Sequence, residues 1–245
     1  MPANLSRISI ILVEPIYAGN VGAIARIMNN FCFTDLRIVG SVPQKNDFYL
    51  AMHSEHLLED ASIFPTLAEA ITDLDRVIAF SRRLGKTKPI DLSPMQMAAY
   101  VHELPELKLG LVFGRETFGL TDEEADLCPL RCHFSANKAF PSINLAQAVA
   151  LATYEIQSFE QRNLEDGGTK KNGAVDGEEL GKIYRYMKDV LGDIGYFTNH
   201  ETTNWDAFLK KMLAQLNPNK EMVYRLRQMF NRIHVLVTGK GKGYE

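Results

Sequence analysis

The chain has 245 residues, 46% hydrophobic and 23% charged, with a formal net charge of −3, which suits a globular protein with a sizeable core in one or two domains and argues against a generic nucleic-acid coat. Its three cysteines cannot form a paired framework, and no apolar run approaches membrane-spanning length. The opening Met1-Pro2-Ala3-Asn4-Leu5-Ser6-Arg7 lacks a signal-peptide pattern, so a reducing, cytoplasmic address is expected.

In chain order, residues 8–13 form an apolar, β-branched run of the kind that fills buried parallel strands. Similar runs cover 36–39, 76–80 and 108–113, with a shorter one at 131–135. Helical patterns separate them at 20–31, roughly 47–58, 66–73, 94–103, 121–127 and 143–160. Strands alternating with helices predict an α/β fold, a mostly parallel sheet covered by helices on both faces. The body is expected to occupy 1–160. A polar, Gly-rich stretch then reads as a linker over 161–178. From 179 to 245 only helical spacing remains, as in Leu180, Ile183, Tyr184, Met187 and Leu191, and this predicts a small three-helix extension.

Charge is unevenly spread. Arg82, Arg83, Lys86 and Lys88 crowd one loop, and Lys220, Arg225, Arg227, Arg232, Lys240 and Lys242 gather near the end. Each cluster suits either a solvated surface or a grip on phosphates.

Three loops at strand ends carry the candidate chemistry. In the first, Asn20 is placed to cap a helix from Val21, with Ile24, Ile27, Met28 and Phe31 as its buried stripe. Arg26 lies about 200° from Ile24 and so points away from the core, as a surface arginine or a functional one. In the second, Phe113-Gly114-Arg115-Glu116 leaves a strand, and Thr121 with Glu124 predicts a capping box. Glu116 is therefore not needed as a cap. It is placed either to pair with Arg115 or to face a ligand beyond the strand's carboxyl end. In the third, Ser142 and Asn144 open a long alanine-rich helix, where Ser142 serves as cap or as site residue. Gly19-Asn20-Val21-Gly22 matches a dinucleotide loop poorly. The Gly-x-Gly is missing and the second strand ends in Val39-Gly40-Ser41 rather than an acid, which leaves a Rossmann oxidoreductase as the runner-up enzyme class. Cys128, Cys132 and His133 lack a fourth ligand at zinc-like spacing and read as structural, so no metal is expected.

Taken together, Asn-x-Gly-x-x-x-Arg, Phe-Gly-x-Glu-x-x-Gly-Leu and Ser-Ile-Asn-Leu-x-x-Ala, in that order over about 8–160, resemble the SPOUT superfamily of RNA methyltransferases, and most its TrmJ branch of tRNA 2'-O-methyltransferases. The resemblance implies a carboxyl-side trefoil knot, S-adenosyl-L-methionine as cofactor, and a homodimer whose site draws on both subunits. It implies Arg26, Asn20, Glu116, Ser142 and Asn144 as catalytic residues. Cofactor contacts would fall at Phe80, Ser81, Gly114, Phe134, Pro141, Ser142 and Ile143. Pro141 stands where bacterial members carry a serine, which removes one backbone N–H. RNA would meet Arg82, Arg83, Lys86, Arg225 and Arg232, with Arg82 and Arg83 both open as the second functional arginine. The substrate implied is tRNA, at a cytidine or uridine opening the anticodon loop. Ribosomal RNA and a catalytically silent knotted RNA-binding module are the alternatives. Family accounts make the arginine a base, but a guanidinium gives up its proton too reluctantly for that, which favours a stabiliser of developing charge, with Glu116 orienting it.

Overall fold

The computed structural model describes residues 5–41, 49–81, 92–165, 174–197 and 202–244. They fall into two compact units, Met1–Lys171 and Asn172–Glu245.

The first unit is built on six strands: β1 (Ile8–Val13), β2 (Asp35–Val39), β3 (Ser62–Phe64), β4 (Arg76–Phe80), β5 (Leu109–Phe113) and β6 (Leu130–Cys132). All pair in parallel, in the order β3-β2-β1-β5-β4-β6. Every residue of β1, β4 and β5 is buried, as expected for strands covered on both faces. On one face Ile11, Val13, Val77, Ala79 and Val112 pack with Leu67 and Ala70 of α3 (Leu67–Ala70) and with Ala125 of α5 (Asp122–Asp126). Alternation along the strands sends Ile8, Ile10, Leu12, Ile78, Leu109 and Leu111, all fully buried, to the other face. There α6 (Leu145–Glu165) packs against both α1 (Ala18–Asn30) and α4 (Pro94–Glu103).

The chain leaves β1 toward β2 and β3, then returns to lay β4 and β5 on β1's other side. The sheet order thus reverses between β1 and β5, and open α/β sheets hold ligands beyond the carboxyl ends of strands at such a point. The strand order is consistent with the trefoil path that the resemblance implies.

Several boundaries depart from those read in the sequence. The helix expected at roughly 47–58 is a 3-10 turn, Tyr49–Ala51, followed by short α2 (Glu55–Glu59), where the described residues begin. Met52 and His53 between them take positive φ angles of 41° and 68°, which an α-helix does not contain. The last strand ends at Cys132 and leaves Phe134 in the following loop. Helix α6 runs past 160 to Glu165. Strand β3, three residues on the sheet edge, has no counterpart in the sequence reading.

The second unit has α7 (Gly177–Asp193), α8 (Thr202–Leu216) and α9 (Lys220–Thr238) around Ile183, Met187, Val190, Leu209, Leu213, Val223 and Phe230. Asp176 and Asn219 cap α7 and α9, each accepting from the amide three residues on. Gly239 ends α9 in the left-handed region, φ 76°. Beyond it Tyr244 folds back, its hydroxyl donating to Glu179 at 2.8 Å.

Candidate functional site

A cleft opens beyond the carboxyl ends of β4, β5 and β6, with about 680 Å³ of space when the open solvent at its mouth is included. Its wall is aromatic. Phe80 stacks on Phe113 with ring centroids 4.4 Å apart and planes 9° apart, and on Phe134 at 5.3 Å. Phe80, Ser81, Gly114, Phe134, Pro141, Ser142 and Ile143 all line it. So do Thr117, Phe118 and His133, which the sequence reading did not single out as site residues. His133 Nδ1 lies 3.0 Å from the Ser81 carbonyl. A carbonyl only accepts, so Nδ1 is the donor in this contact.

The floor of the cleft is a tight loop. Arg115 and Gly119 exchange backbone hydrogen bonds, N to O at 3.2 Å and 2.9 Å. A Cβ on Gly114 would lie 2.3 Å from the Gly119 carbonyl carbon and 2.4 Å from the Leu120 nitrogen, so only glycine fits. Gly119 itself has φ 79°. Thr121 then caps α5 in the expected capping box with Glu124.

Three of the predicted site residues meet in one hydrogen-bonded chain. Glu116 accepts from the amides of Ile16 (3.0 Å) and Tyr17 (3.3 Å) and from Asn20 Nδ2 (2.9 Å). Asn20 Oδ1 accepts in turn from Asn144 Nδ2 at 3.0 Å. Asn144 Oδ1 accepts from the amides of Ala146 (2.9 Å) and Gln147 (3.3 Å), the second and third residues of α6. The network ties the starts of α1 and α6 to the loop after β5, across sequence separations of 96 and 124 residues.

This geometry corrects four expectations. Asn20 does not cap α1, which starts at Ala18 with Tyr17 as an N-cap that makes no side-chain bond. Glu116 supplies an acceptor there instead, a negative charge at a helix N-terminus. Ser142 does not cap α6, because Asn144 does. Glu116 pairs with neither Arg115 nor Arg26; Arg115 bonds Glu124 through two nitrogens (2.8 and 2.9 Å) and Glu14 through Nε (2.8 Å). Hydrogen bonds to Glu124 and Glu14 raise the Arg115 pKa above its ordinary value, and the Arg115 bond lowers that of Glu14.

Because Asn144 both caps α6 and bonds Asn20, Asn144→Ala is expected to cost about 1 kcal/mol or more of stability. Urea unfolding that left the midpoint unchanged would refute the capping role.

Arg26 is exposed on α1, about 9 Å along the helix from Asn20, has no hydrogen-bond or ion-pair partner among the described residues, and is not among the residues lining the cleft. Arg225 and Arg232 are exposed on α9, where Arg225 also pairs with Glu221 at 2.8 Å. Arg82, Arg83 and Lys86 lie outside the described residues. Burial pushes the thiols of Cys128 and Cys132 up to about 12, which makes both poor nucleophiles.

Comparison with known proteins gives a consistent picture. Residues 7–154 match the model of the "SpoU rRNA Methylase family". The chain is 42% identical over 161 residues to a tRNA (cytidine-2'-O-)-methyltransferase TrmJ of Methanocaldococcus jannaschii, spanning 64% of this chain and 70% of that one. It is 29% identical over 248 residues to a tRNA (cytidine/uridine-2'-O-)-methyltransferase TrmJ of Salmonella typhimurium, spanning 96% and 100%. Its fold superposes on the crystal structure of TrmJ from Z. mobilis ZM4 with a TM-score of 0.66 and 31% identity, over 92% of this chain and 98% of that one.

Proposed function

The chain belongs to the SpoU rRNA Methylase family, and from that membership we propose that it is an S-adenosylmethionine-dependent tRNA ribose 2'-O-methyltransferase. The target is a cytidine or uridine opening the anticodon loop. The observation that carries this reading is the joining of Asn20, Glu116 and Asn144 in one network beside a glycine-floored cleft.

The cleft suits the cofactor. Phe80, Phe113 and Phe134 offer an aromatic wall to a flat base, and Gly114 lets backbone approach closely. When bound, S-adenosylmethionine would supply a sulfonium-bound methyl group for transfer to a ribose 2'-oxygen, with S-adenosylhomocysteine as the leaving product and the hydroxyl proton passing to solvent. Phe80, Ser81, Gly114, Phe134, Pro141, Ser142 and Ile143 would hold the cofactor. Pro141 has no N–H, so its backbone contributes only a carbonyl. Glu116, Asn20 and Asn144 fix the loops around it. The Arg26 guanidinium stabilises the oxygen as it loses its proton and positions the neighbouring phosphate.

Arg26 is not among the residues lining its own chain's cleft, which supports a homodimer in which a second copy completes the site. Ile16, Tyr17, Tyr49, Leu50 and Met52, exposed around the start of α1 and in or just after the 3-10 turn packed on it, offer an apolar face for that copy. Arg82, Arg83, Lys86, Arg225 and Arg232 grip RNA phosphates, and the stretch between α6 and α7 links the catalytic body to the helical extension. Among the described residues no helix is long and apolar enough to cross a membrane; a cytoplasmic enzyme fits the tRNA substrate. The test is transfer of labelled methyl to unmodified tRNA, followed by mapping of the labelled nucleotide. Label on the 2'-oxygen opening the anticodon loop is expected, and label on ribosomal RNA alone, or on no RNA, overturns the reading.

A further inference from the structure

The loop after β5 holds the β1–α1 loop from two sides. Arg115 and Glu116 are adjacent, yet they bond different residues of the same short segment. Glu116 takes the amides of Ile16 and Tyr17, and Arg115 takes the carboxylate of Glu14. The Arg115 side chain is 8% exposed and lies over the Phe118 ring at 5.0 Å. Its other two nitrogens bond Glu124, whose carboxylate also accepts from the Thr121 amide at 2.8 Å. The guanidinium is therefore fixed by α5 and the loop, and Glu14 is the partner that it reaches across to hold.

Glu14 is held at some cost. It has φ 43°, a left-handed conformation unfavourable for a residue with a Cβ. Its amide continues the sheet, donating to Val39 at 2.8 Å. A Cβ on Gly40, itself at φ 84°, would lie 2.7 Å from Glu14 Cγ, so a glycine gives the Glu14 stem its room. A carboxylate 54% exposed has no need of a partner for solvation, so the pairing does not exist to satisfy a buried charge.

We infer that the Glu14–Arg115 pair is a positioning clamp that sets the β1–α1 loop against the cleft's floor and thereby fixes where α1 carries Arg26. The inference rests on the methyltransferase reading above. Glu14 touches neither cofactor nor RNA in this role; it acts through the register of α1, and misplacement of about 1 Å costs up to about a hundredfold in rate.

The test compares Glu14→Ala and Glu14→Gln in the full chain, with S-adenosylmethionine and an unmodified tRNA transcript. Glutamine keeps an oxygen that accepts from Arg115 Nε. Glu14→Ala is expected to lower kcat by about tenfold or more, with cofactor affinity by calorimetry within about threefold of wild type and the melting temperature nearly unchanged. Glu14→Gln is expected to recover most of the lost rate. Wild-type kcat in Glu14→Ala, no recovery in Glu14→Gln, or a loss of cofactor affinity that matches the loss of rate overturns the clamp. Should the wild type transfer no methyl to RNA, the methyltransferase reading fails, and hydrogen exchange still decides the clamp. Glu14→Ala must then weaken protection of the Ile16 and Tyr17 amides, and unchanged protection overturns it.

Discussion

Arg26→Ala is expected to lower kcat for methyl transfer by about a hundredfold or more, the usual cost of removing one preorganised stabiliser of developing charge. Affinity for S-adenosylmethionine should not change, because Arg26 is not among the residues lining the cofactor cleft of its chain. Stability should stay within about 0.5 kcal/mol, since the side chain is exposed and leaves no partner behind among the described residues. Arg26→Lys keeps the charge but loses the planar fork, so its turnover should also fall. Near-normal turnover in the lysine variant would argue against both the stabilising and the phosphate-positioning role. Mixing adds a sharper measurement. In a two-fold dimer with composite sites, one subunit bearing Arg26→Ala and the other bearing a cleft-blocking Ser142→Trp leave one site with both lesions and one with neither. Activity should return in the mixed dimer. Continued inactivity would place Arg26 and the cleft that it serves in the same chain.

Gly114→Ala should be the most damaging single methyl group in the first unit. The added carbon meets backbone on two sides, at 2.3 Å and 2.4 Å, and neither the Gly119 carbonyl nor the Leu120 amide can swing aside as a flexible side chain would. The loop must open, which breaks the Arg115–Gly119 hydrogen-bond pair and shifts the floor of the cleft. Overpacking of this kind costs about 1–3 kcal/mol. Cofactor affinity should fall with it, because Gly114 through Gly119 line the cleft. Calorimetry with S-adenosylmethionine checks the affinity, and urea unfolding checks the stability. Wild-type values in both would mean that the loop has a second arrangement open to it. By contrast, a Cβ on Gly119 meets nothing within 4 Å, so Gly119→Ala should cost only the strain of its positive φ.

What could be read from the sequence was local. The β-branched run of β1 and the Thr121–Glu124 cap signal mark their elements because neighbouring residues alone decide them. The cleft-lining residues were reached through the family resemblance of the three loops, since no local pattern sets them apart. Asn20 misled for the opposite reason. Its local chemistry is that of an N-cap, but a glutamate ninety-six residues away and an asparagine one hundred and twenty-four away compete for its amide and win. The Glu14–Arg115 pair was hidden likewise, since an adjacent glutamate is the simpler local partner for Arg115. Strand β3 carries too few residues to show alternation and owes its existence to the edge of β2. Thr117 and Phe118 reach the cleft because the turn closing at Gly119 projects its tip there, and that turn depends on backbone bonds no residue pattern announces.

The seat of β1 between β2 and β5 also bears on synthesis. Ile8 pairs with Leu109, so at about 5–20 residues per second the ribosome needs about 5–20 s to deliver the strand that covers β1's second edge. Through that interval Ile8–Val13, with no lysine or other charge in it, can offer an open edge to any neighbouring nascent chain. Messages truncated between the two strands should therefore yield aggregates, whereas those truncated after the first unit should not.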